Sequence, residues 1–232
     1  MKRFYKTVAV EAKEEGLAVT LDGRPVRTPA KALLLVPRRP LAEAIAGEWE
    51  AQGEEVRPTE MPLTAIACTA IDLVENDRTA AREELLSFAE HELLCYRAEE
   101  PDELVARQEQ VWRPLLDWLE ATHGARLAVG SGLLELQQPA EALVALRGVL
   151  ERYDALALTG LATAVRACGS LVVGLALAEQ RLSAAEAFAA SELEETFQIE
   201  RWGEDPIARQ RRDGIRRDLE AAARFFQTLQ TR

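Results

Sequence analysis

Short runs of branched and aromatic residues dominate positions 3–36 and predict β-strands. The run LAVTL is followed by Asp22-Gly23, a pair typical of a two-residue hairpin turn. Pro25 then limits the next run to an edge or irregular strand, because proline has no N–H to donate to a sheet. The run ALLLVP at 32–37 completes the prediction of a small antiparallel sheet.

After this region the apolar positions recur with a helical period. Pro40 suits the first turn of a helix that continues through EWEAQ, and Pro206 after Asp205 marks the start of the last helix. From Thr64 onward the pattern is mostly helical. The stretch 155–180 is very apolar and rich in alanine and glycine, so we expect one central core helix there.

Together these patterns predict an α+β fold. A small, mostly antiparallel β N-terminal domain should occupy residues 1–60, followed by an all-helical C-terminal domain at 61–232. The run RLAVGSGLLELQ looks extended rather than helical. Residues 125–138 are therefore a candidate extension of the first domain, in which they would add a strand to its sheet.

The stretch 186–205 holds the densest mixture of acidic and aromatic residues in the chain. Placed on a single helix, it has two nearly opposite apolar stripes, each with a glutamate. The first stripe contains Leu193, Phe197 and Glu200, and the second contains Phe188, Glu195, Ile199 and Trp202. Spacing alone favours an internal helix with acids at its edges, although one side could instead await a partner. Ser183 and Glu186 have the spacing of a capping box at its start.

Charge narrows the range of partners. The 232-residue chain is 48% hydrophobic, which is enough for a substantial core, and its net charge is -11. Phosphate backbones repel such a protein, so we expect no nucleic-acid binding and favour a partner with basic residues. The N-terminal sheet region is locally basic. A solvated sheet face is the favoured explanation, and an anion-binding surface is the minor alternative.

No pattern of catalytic or ligand-binding residues emerges. Cys68, Cys95 and Cys168 are too widely spaced for a disulfide framework, and the chain has only two histidines and no CxxC. His91 lies one helical turn from Cys95, but nothing else supports a thiolate nucleophile. We therefore predict no catalytic residue, cofactor or metal. The N-terminus resembles neither a signal nor a transit peptide, and no apolar run is long enough for membrane insertion. We expect a bacterial cytoplasmic protein.

A set of motifs runs in order from residue 2 to residue 203. It comprises KRFYK, LDGRPVRTP, EWEAQ, MPLTAIACTAID, LLCYRA, WRPLLDW, GSLVVGLALA and ELEETFQIERWG. In this order they resemble the assembly chaperone of F-type ATP synthase, found in mitochondria and alphaproteobacteria. The resemblance implies a β-rich N-terminal part before a helical part. It also implies a chaperone that binds the free alpha subunit of the catalytic head and prevents its aggregation.

The resemblance ties the acidic run near the C-terminus to function. Combined with the helical stripes, it implies client binding by Glu194, Glu195, Ile199, Glu200 and Trp202. We assign Leu193 and Phe197 to internal packing, whereas Glu200 is either a buried acid with a partner or the centre of the binding site. We expect a monomer, with eukaryotic relatives in the mitochondrial matrix.

Two other hypotheses remain open at this point. The same helix could make the protein a scaffold for a different partner, which co-purification from the native cell would identify. Paired acids could instead belong to a hydrolase with an unrecognised site, which a substrate screen would detect.

Overall fold

The computed structural model describes residues 1–132 and 136–230. Its strands are β1 (Val8–Lys13), β2 (Gly16–Leu21), β3 (Arg24–Pro25), β4 (Leu35–Val36), β5 (Tyr96–Arg97) and β6 (Gly130–Ser131). Its α-helices are α1 (Arg39–Glu50), α2 (Pro62–Thr69), α3 (Arg78–Glu90), α4 (Asp102–His123), α5 (Ala140–Glu151), α6 (Ala155–Cys168), α7 (Leu171–Ala178), α8 (Ala184–Ser191), α9 (Leu193–Trp202) and α10 (Pro206–Gln230). The small antiparallel sheet followed by helices confirms the predicted α+β class.

Strand β2 is the centre of the N-terminal sheet and pairs antiparallel with β1, β3 and β4. The predicted hairpin is confirmed: Asp22 and Gly23 both have positive φ, 48° and 76°, between β2 and β3. Strand β3 has only two residues, as expected of a segment that contains Pro25. The core beneath the sheet joins Val19 and Leu21 to side chains of α1 and α2.

Several helix starts also follow the predicted chemistry. Pro40 lies in the first turn of α1, and α10 begins at Pro206. The capping box of α8 is complete, because the Ser183 hydroxyl accepts from the Glu186 N–H and the Glu186 carboxylate accepts from the Ser183 N–H. Local sequence therefore determines where these helices begin.

The prediction of a single core helix at 155–180 is wrong. Helix α6 ends at Cys168, Gly169 turns the chain with a φ of 70°, and Ser170 caps the start of α7. All eight residues of α7 are buried. The apolar pattern continues unbroken across the turn, so hydrophobicity alone could not locate it.

The prediction of one helix over 186–205 is also wrong. Helices α8 and α9 are separate, and Glu192 stands between them with φ -102° and ψ 24°. The cause is tertiary, since the buried Glu192 carboxylate accepts from Arg211 at 2.8 Å and Arg212 at 3.1 Å. Phe188, which a single helix would place on the same stripe as Ile199 and Trp202, is buried.

The extended segment after α4 does not join the N-terminal sheet. Strand β6 pairs in parallel with β5 as a separate two-stranded sheet, so the predicted extension of that sheet by 125–138 is wrong for the part that the structure describes. Residues 133–135 of that prediction, and 231–232 of the predicted helical domain, lie outside the described residues.

Two compact units are present. The first comprises residues 1–78, 154–160 and 224 onward, and the second comprises 79–153 and 161–223. The boundary expected near residue 60 stays a prediction. Each helix in the described ranges is too short or too polar to cross a bilayer.

Candidate client-binding surface

Helix α9 packs on α4 within the second unit. Leu193 and Phe197 are 7% and 3% exposed, which confirms their assignment to internal packing. The Phe197 ring lies near two guanidinium groups, with the Cζ of Arg201 3.4 Å and that of Arg107 5.2 Å from the ring centroid. Arg201 lies on α9 itself, so only the cation–π contact with Arg107 of α4 helps to orient α9 about its own axis.

A chain of four alternating charges connects α9 to α4. Arg201 pairs with Glu103 at 2.6 Å, and Glu103 also pairs with Arg107 at 2.9 Å. Arg107 in turn pairs with Glu200 at 2.7 Å. Hydrogen bonds from Arg201 and then Arg107 lower the pKa of Glu103, so its carboxylate is firmly ionised. The chain fixes the exposed end of α9 to α4.

The structure excludes one of the two alternatives for Glu200, and its place in a binding site stays a prediction. Its side chain is 45% exposed and its partner is Arg107, so it is not a buried acid. An exposed carboxylate with one side-chain partner retains free acceptor positions, because each carboxylate has about four lone-pair sites. Glu200 can therefore accept a further donor from outside the protein.

Glu194 has a different environment from Glu200. It is half-buried and accepts a hydrogen bond from the Gln108 amide on α4. Burial raises the pKa of Glu194, and the Gln108 hydrogen bond opposes that rise. The Gln108 carbonyl accepts from the N–H of Ala98 at 2.9 Å, which fixes the amide orientation. Glu194 thus takes part in the packing of α9 on α4.

Glu195 lies beside the junction between α8 and α9. Its carboxylate is 3.8 Å from Arg211, which pairs more closely with Glu192, and its side chain is 34% exposed. Arg212 also donates to the Thr196 hydroxyl at 3.0 Å. The first turn of α9 is therefore attached to α10, while Glu195 remains partly accessible.

The end of α9 and the start of α10 expose two large apolar side chains. Trp202 is 76% exposed and Ile207 is 81% exposed, and Ile199 is half-buried one turn before Trp202. Between them, Asp205 caps α10 by accepting from the N–H groups of Ile207 and Ala208. We use the name acidic–apolar surface for the exposed or partly exposed side chains of Glu195, Ile199, Glu200, Trp202 and Ile207 along α9 and the start of α10.

The structure thus places all five residues predicted for client binding on α9. Glu200 and Trp202 are exposed, Glu195 and Ile199 are partly so, and Glu194 contacts α4. The sequence analysis missed Ile207 and Arg107. Ile207 carried a usable signal, because it is the one large aliphatic residue in the mostly charged stretch 204–213. Nothing local marks Arg107 as a partner of Glu200.

The cysteines and histidines form no comparable site. All three cysteines are free, and burial raises the pKa of Cys95 and of Cys168 to about 12, so both thiols stay protonated. His91 is exposed and Cys95 is fully buried. Within 1–132 and 136–230, no group of three or more histidine, cysteine, aspartate or glutamate side chains is arranged to hold a metal ion.

Known proteins resemble this chain over nearly its whole length. Residues 2–120 match the family described as ATP12 chaperone protein. The mitochondrial protein atp12 of Schizosaccharomyces pombe is 27% identical over 214 residues, which cover 87% of this chain and 74% of that protein.

Two solved structures share the fold. Atp12 from Paracoccus denitrificans is 37% identical with a TM-score of 0.93, covering 98% of this chain and 97% of that one. The Atu1473 protein from Agrobacterium tumefaciens is 43% identical with a TM-score of 0.94, covering 99% of this chain and 86% of that one.

Proposed function

Because the chain belongs to the ATP12 chaperone protein family, which assists the assembly of ATP synthase, we propose that it binds the free alpha subunit of that enzyme. In this proposal it acts as a monomer in the bacterial cytoplasm. It holds the subunit until the beta subunit replaces it. An unassembled subunit exposes apolar interface, and large exposed apolar surfaces aggregate.

The observation that carries this proposal is the exposure of Trp202 and Ile207 on a segment, the end of α9 and the start of α10, that also exposes Glu200 and Asp205. Large apolar side chains in water are unfavourable for an isolated protein, and tryptophan is enriched among the residues that dominate binding energy. Nearby carboxylates would select a client surface with basic residues at its edge. The acidic–apolar surface therefore has the chemistry expected of a client-binding site.

The five residues predicted from the sequence have different roles in this proposal. Glu195, Ile199, Glu200 and Trp202, joined by Ile207, contact the client directly. Glu194 contributes chiefly by holding α9 on α4 through Gln108. The protein needs no catalytic step, because covering the apolar surface of the alpha subunit is sufficient. Its affinity must be moderate, since a very slow dissociation would prevent transfer to the beta subunit.

The experiment is a light-scattering assay with purified alpha subunit. At equimolar ratio the protein should suppress aggregation and co-elute with the alpha subunit in size-exclusion chromatography. An unrelated acidic protein of similar size and charge serves as the control and should do neither. If scattering is unchanged and no complex elutes, the alpha subunit is not the client. Co-purification from native cells would then identify the actual partner.

A further inference from the structure

A second surface lies in the first compact unit and shares no residue with the acidic–apolar surface. A cleft of about 670 Å³ opens beside the hairpin that joins β2 and β3. Its lining includes Met1, Phe4, Tyr5, Arg24, Arg27 and Trp49. These side chains combine apolar and cationic groups. The charge of the cleft is therefore opposite to that of the acidic–apolar surface.

The apolar part of the cleft is a row of three aromatic rings. Phe4 packs edge-on against Tyr5 with centroids 5.3 Å apart, and Tyr5 packs edge-on against Trp49 at 5.7 Å. The Tyr5 hydroxyl donates to the Trp49 carbonyl at 2.6 Å, which fixes the row. At its outer end, Phe4 is 64% exposed and Met1 is 74% exposed. Burial of these two side chains by a ligand would be favourable.

The indole N–H of Trp49 is a polar group among the residues that line the cleft. It is buried and has no hydrogen-bond acceptor among the residues that the structure describes. A buried donor without an acceptor is unfavourable, because it has given up its hydrogen bond to water. An occupant that brings a carbonyl or carboxylate oxygen to this ring could supply the missing acceptor after a small adjustment of the side chain.

The charges of the cleft point to an anionic occupant. Arg24 is exposed and has no acidic partner within the described ranges, and Arg27 donates only to the Lys31 carbonyl. The one acid in the lining, Asp22, already accepts from the Lys6 and Thr7 N–H groups. Residues 1–40 contain nine basic and four acidic side chains, although the whole chain has a net charge of -11.

We propose that this cleft binds an extended acidic peptide segment of a partner protein. An apolar side chain of the segment packs on Phe4 and Met1, and a carboxylate pairs with Arg24. A peptide fits better than a nucleic acid, because the strongly acidic remainder of the chain repels a continuous phosphate backbone. The site is separate from the acidic–apolar surface and takes a ligand of opposite charge.

Fluorescence anisotropy with a short labelled probe peptide tests this proposal. The probe alternates glutamate with phenylalanine, and a matched peptide carries lysine in place of each glutamate. We expect saturable binding of the acidic probe with a Kd of order micromolar, weakened by added salt because the contact is partly ionic. The lysine peptide should not bind.

Two exposed positions provide the variants. Arg24→Glu should weaken binding about tenfold or more by reversing the charge, and Phe4→Ala should weaken it about fivefold or more by removing the anchor. Arg38→Glu makes the same charge change at an exposed residue that does not line the cleft, and should leave binding within about twofold. All three should retain the wild-type circular dichroism spectrum.

The proposal is overturned if the acidic probe shows no saturable binding, or if Arg24→Glu binds it as the wild type does. Equal binding of single-stranded DNA that is insensitive to Phe4→Ala would also overturn it, since that result means a general polyanion surface. None of these measurements uses the alpha subunit. Failure here is therefore distinguishable from failure of the proposed chaperone function.

Discussion

The guanidinium group of Arg107 donates to the carboxylate of Glu200 at 2.7 Å, although 93 positions separate them in the chain. Both side chains are substantially exposed, so solvent screens the pair and it should contribute little to stability. Its importance is positional, because it holds the end of α9 on α4 two residues before the exposed Trp202.

Charge reversal at Glu200 tests whether this carboxylate contacts the client. Glu200→Arg should weaken alpha-subunit binding about tenfold or more, because a cation would face the basic client edge. The melting temperature should change by no more than a few degrees, since the native ion pair is exposed. Titration by isothermal calorimetry and a thermal melt give the two measurements.

The double variant Glu200→Arg, Arg107→Glu separates contact from positioning. It restores an ion pair between α4 and α9 with the charges exchanged, and its thermal melt reports whether the loss of the Arg107–Glu103 pair disturbs the packing. If Glu200 touches the client, binding stays weak in the double variant. Recovery of wild-type affinity would mean that Glu200 acts only by orienting α9.

Trp202→Ala should weaken alpha-subunit binding about tenfold or more, because exposed tryptophans beside an acidic rim are typical binding hot spots. Stability should change by less than about 0.5 kcal/mol, since the side chain is 76% exposed. Val144→Ala on α5 removes another exposed apolar side chain, 69% accessible, and should bind normally. Similar losses of affinity in both variants would indicate non-specific hydrophobic association rather than a defined binding surface.

Glu92 should make stability depend on pH. Burial raises the pKa of Glu92 to about 7, opposed by hydrogen bonds from the Ser170 hydroxyl and from the N–H groups of Val172, Leu94 and Leu171. The folded state therefore holds its proton more tightly than the unfolded state, whose carboxyl titrates at about 4.5. The stabilising contribution is complete below about pH 4.5 and is lost as the pH rises through 7.

Urea unfolding from about pH 5 to pH 8 measures this effect, which we expect to total ~3 kcal/mol. Glu92→Gln removes the titrating group, so its free energy of unfolding should vary less with pH over this window, whatever its absolute stability. An equally steep decline in the variant would show that other groups cause the pH dependence.

Gly174→Ala should lower the free energy of unfolding by about 1–3 kcal/mol. A Cβ atom at Gly174 would overlap the Val165 Cγ2 of α6, so the two helices would have to separate. Gly148→Ala in the exposed middle of α5 is the matched control, because no heavy atom lies near its added Cβ. That variant should gain roughly 0.5–1 kcal/mol from helix propensity. Equal effects at both positions would contradict close packing at Gly174.

The parts of the fold that local chemistry determines could be predicted from the sequence. Asp22-Gly23 supplies the positive φ angles of the hairpin, and Ser183 with Glu186 forms a capping box from residues three positions apart. Proline at 40 and 206 needs no partner to start a helix. In each case the signal and the structure lie within a few residues.

Breaks that depend on tertiary contacts could not be predicted in this way. The interruption at Glu192 depends on Arg211 and Arg212, which lie 19 and 20 residues later, while the helical pattern continues across it. The ion pairing of Glu200 depends on Arg107, and no sequence periodicity relates the two residues. The sequence placed the candidate residues on one helical segment, but only the packing shows which of them are exposed.

The alternating order of Arg201, Glu103, Arg107 and Glu200 has a consequence for how a client would leave. A client cation that takes Glu200 would leave Arg107 paired with Glu103, so no charge is stranded on either side. Docking at Glu200 would then either use its free acceptor positions or exchange Arg107 for the client cation. Neither route leaves an unpaired charge, so the contact is reversible, which is the property required of a chaperone that must release its client.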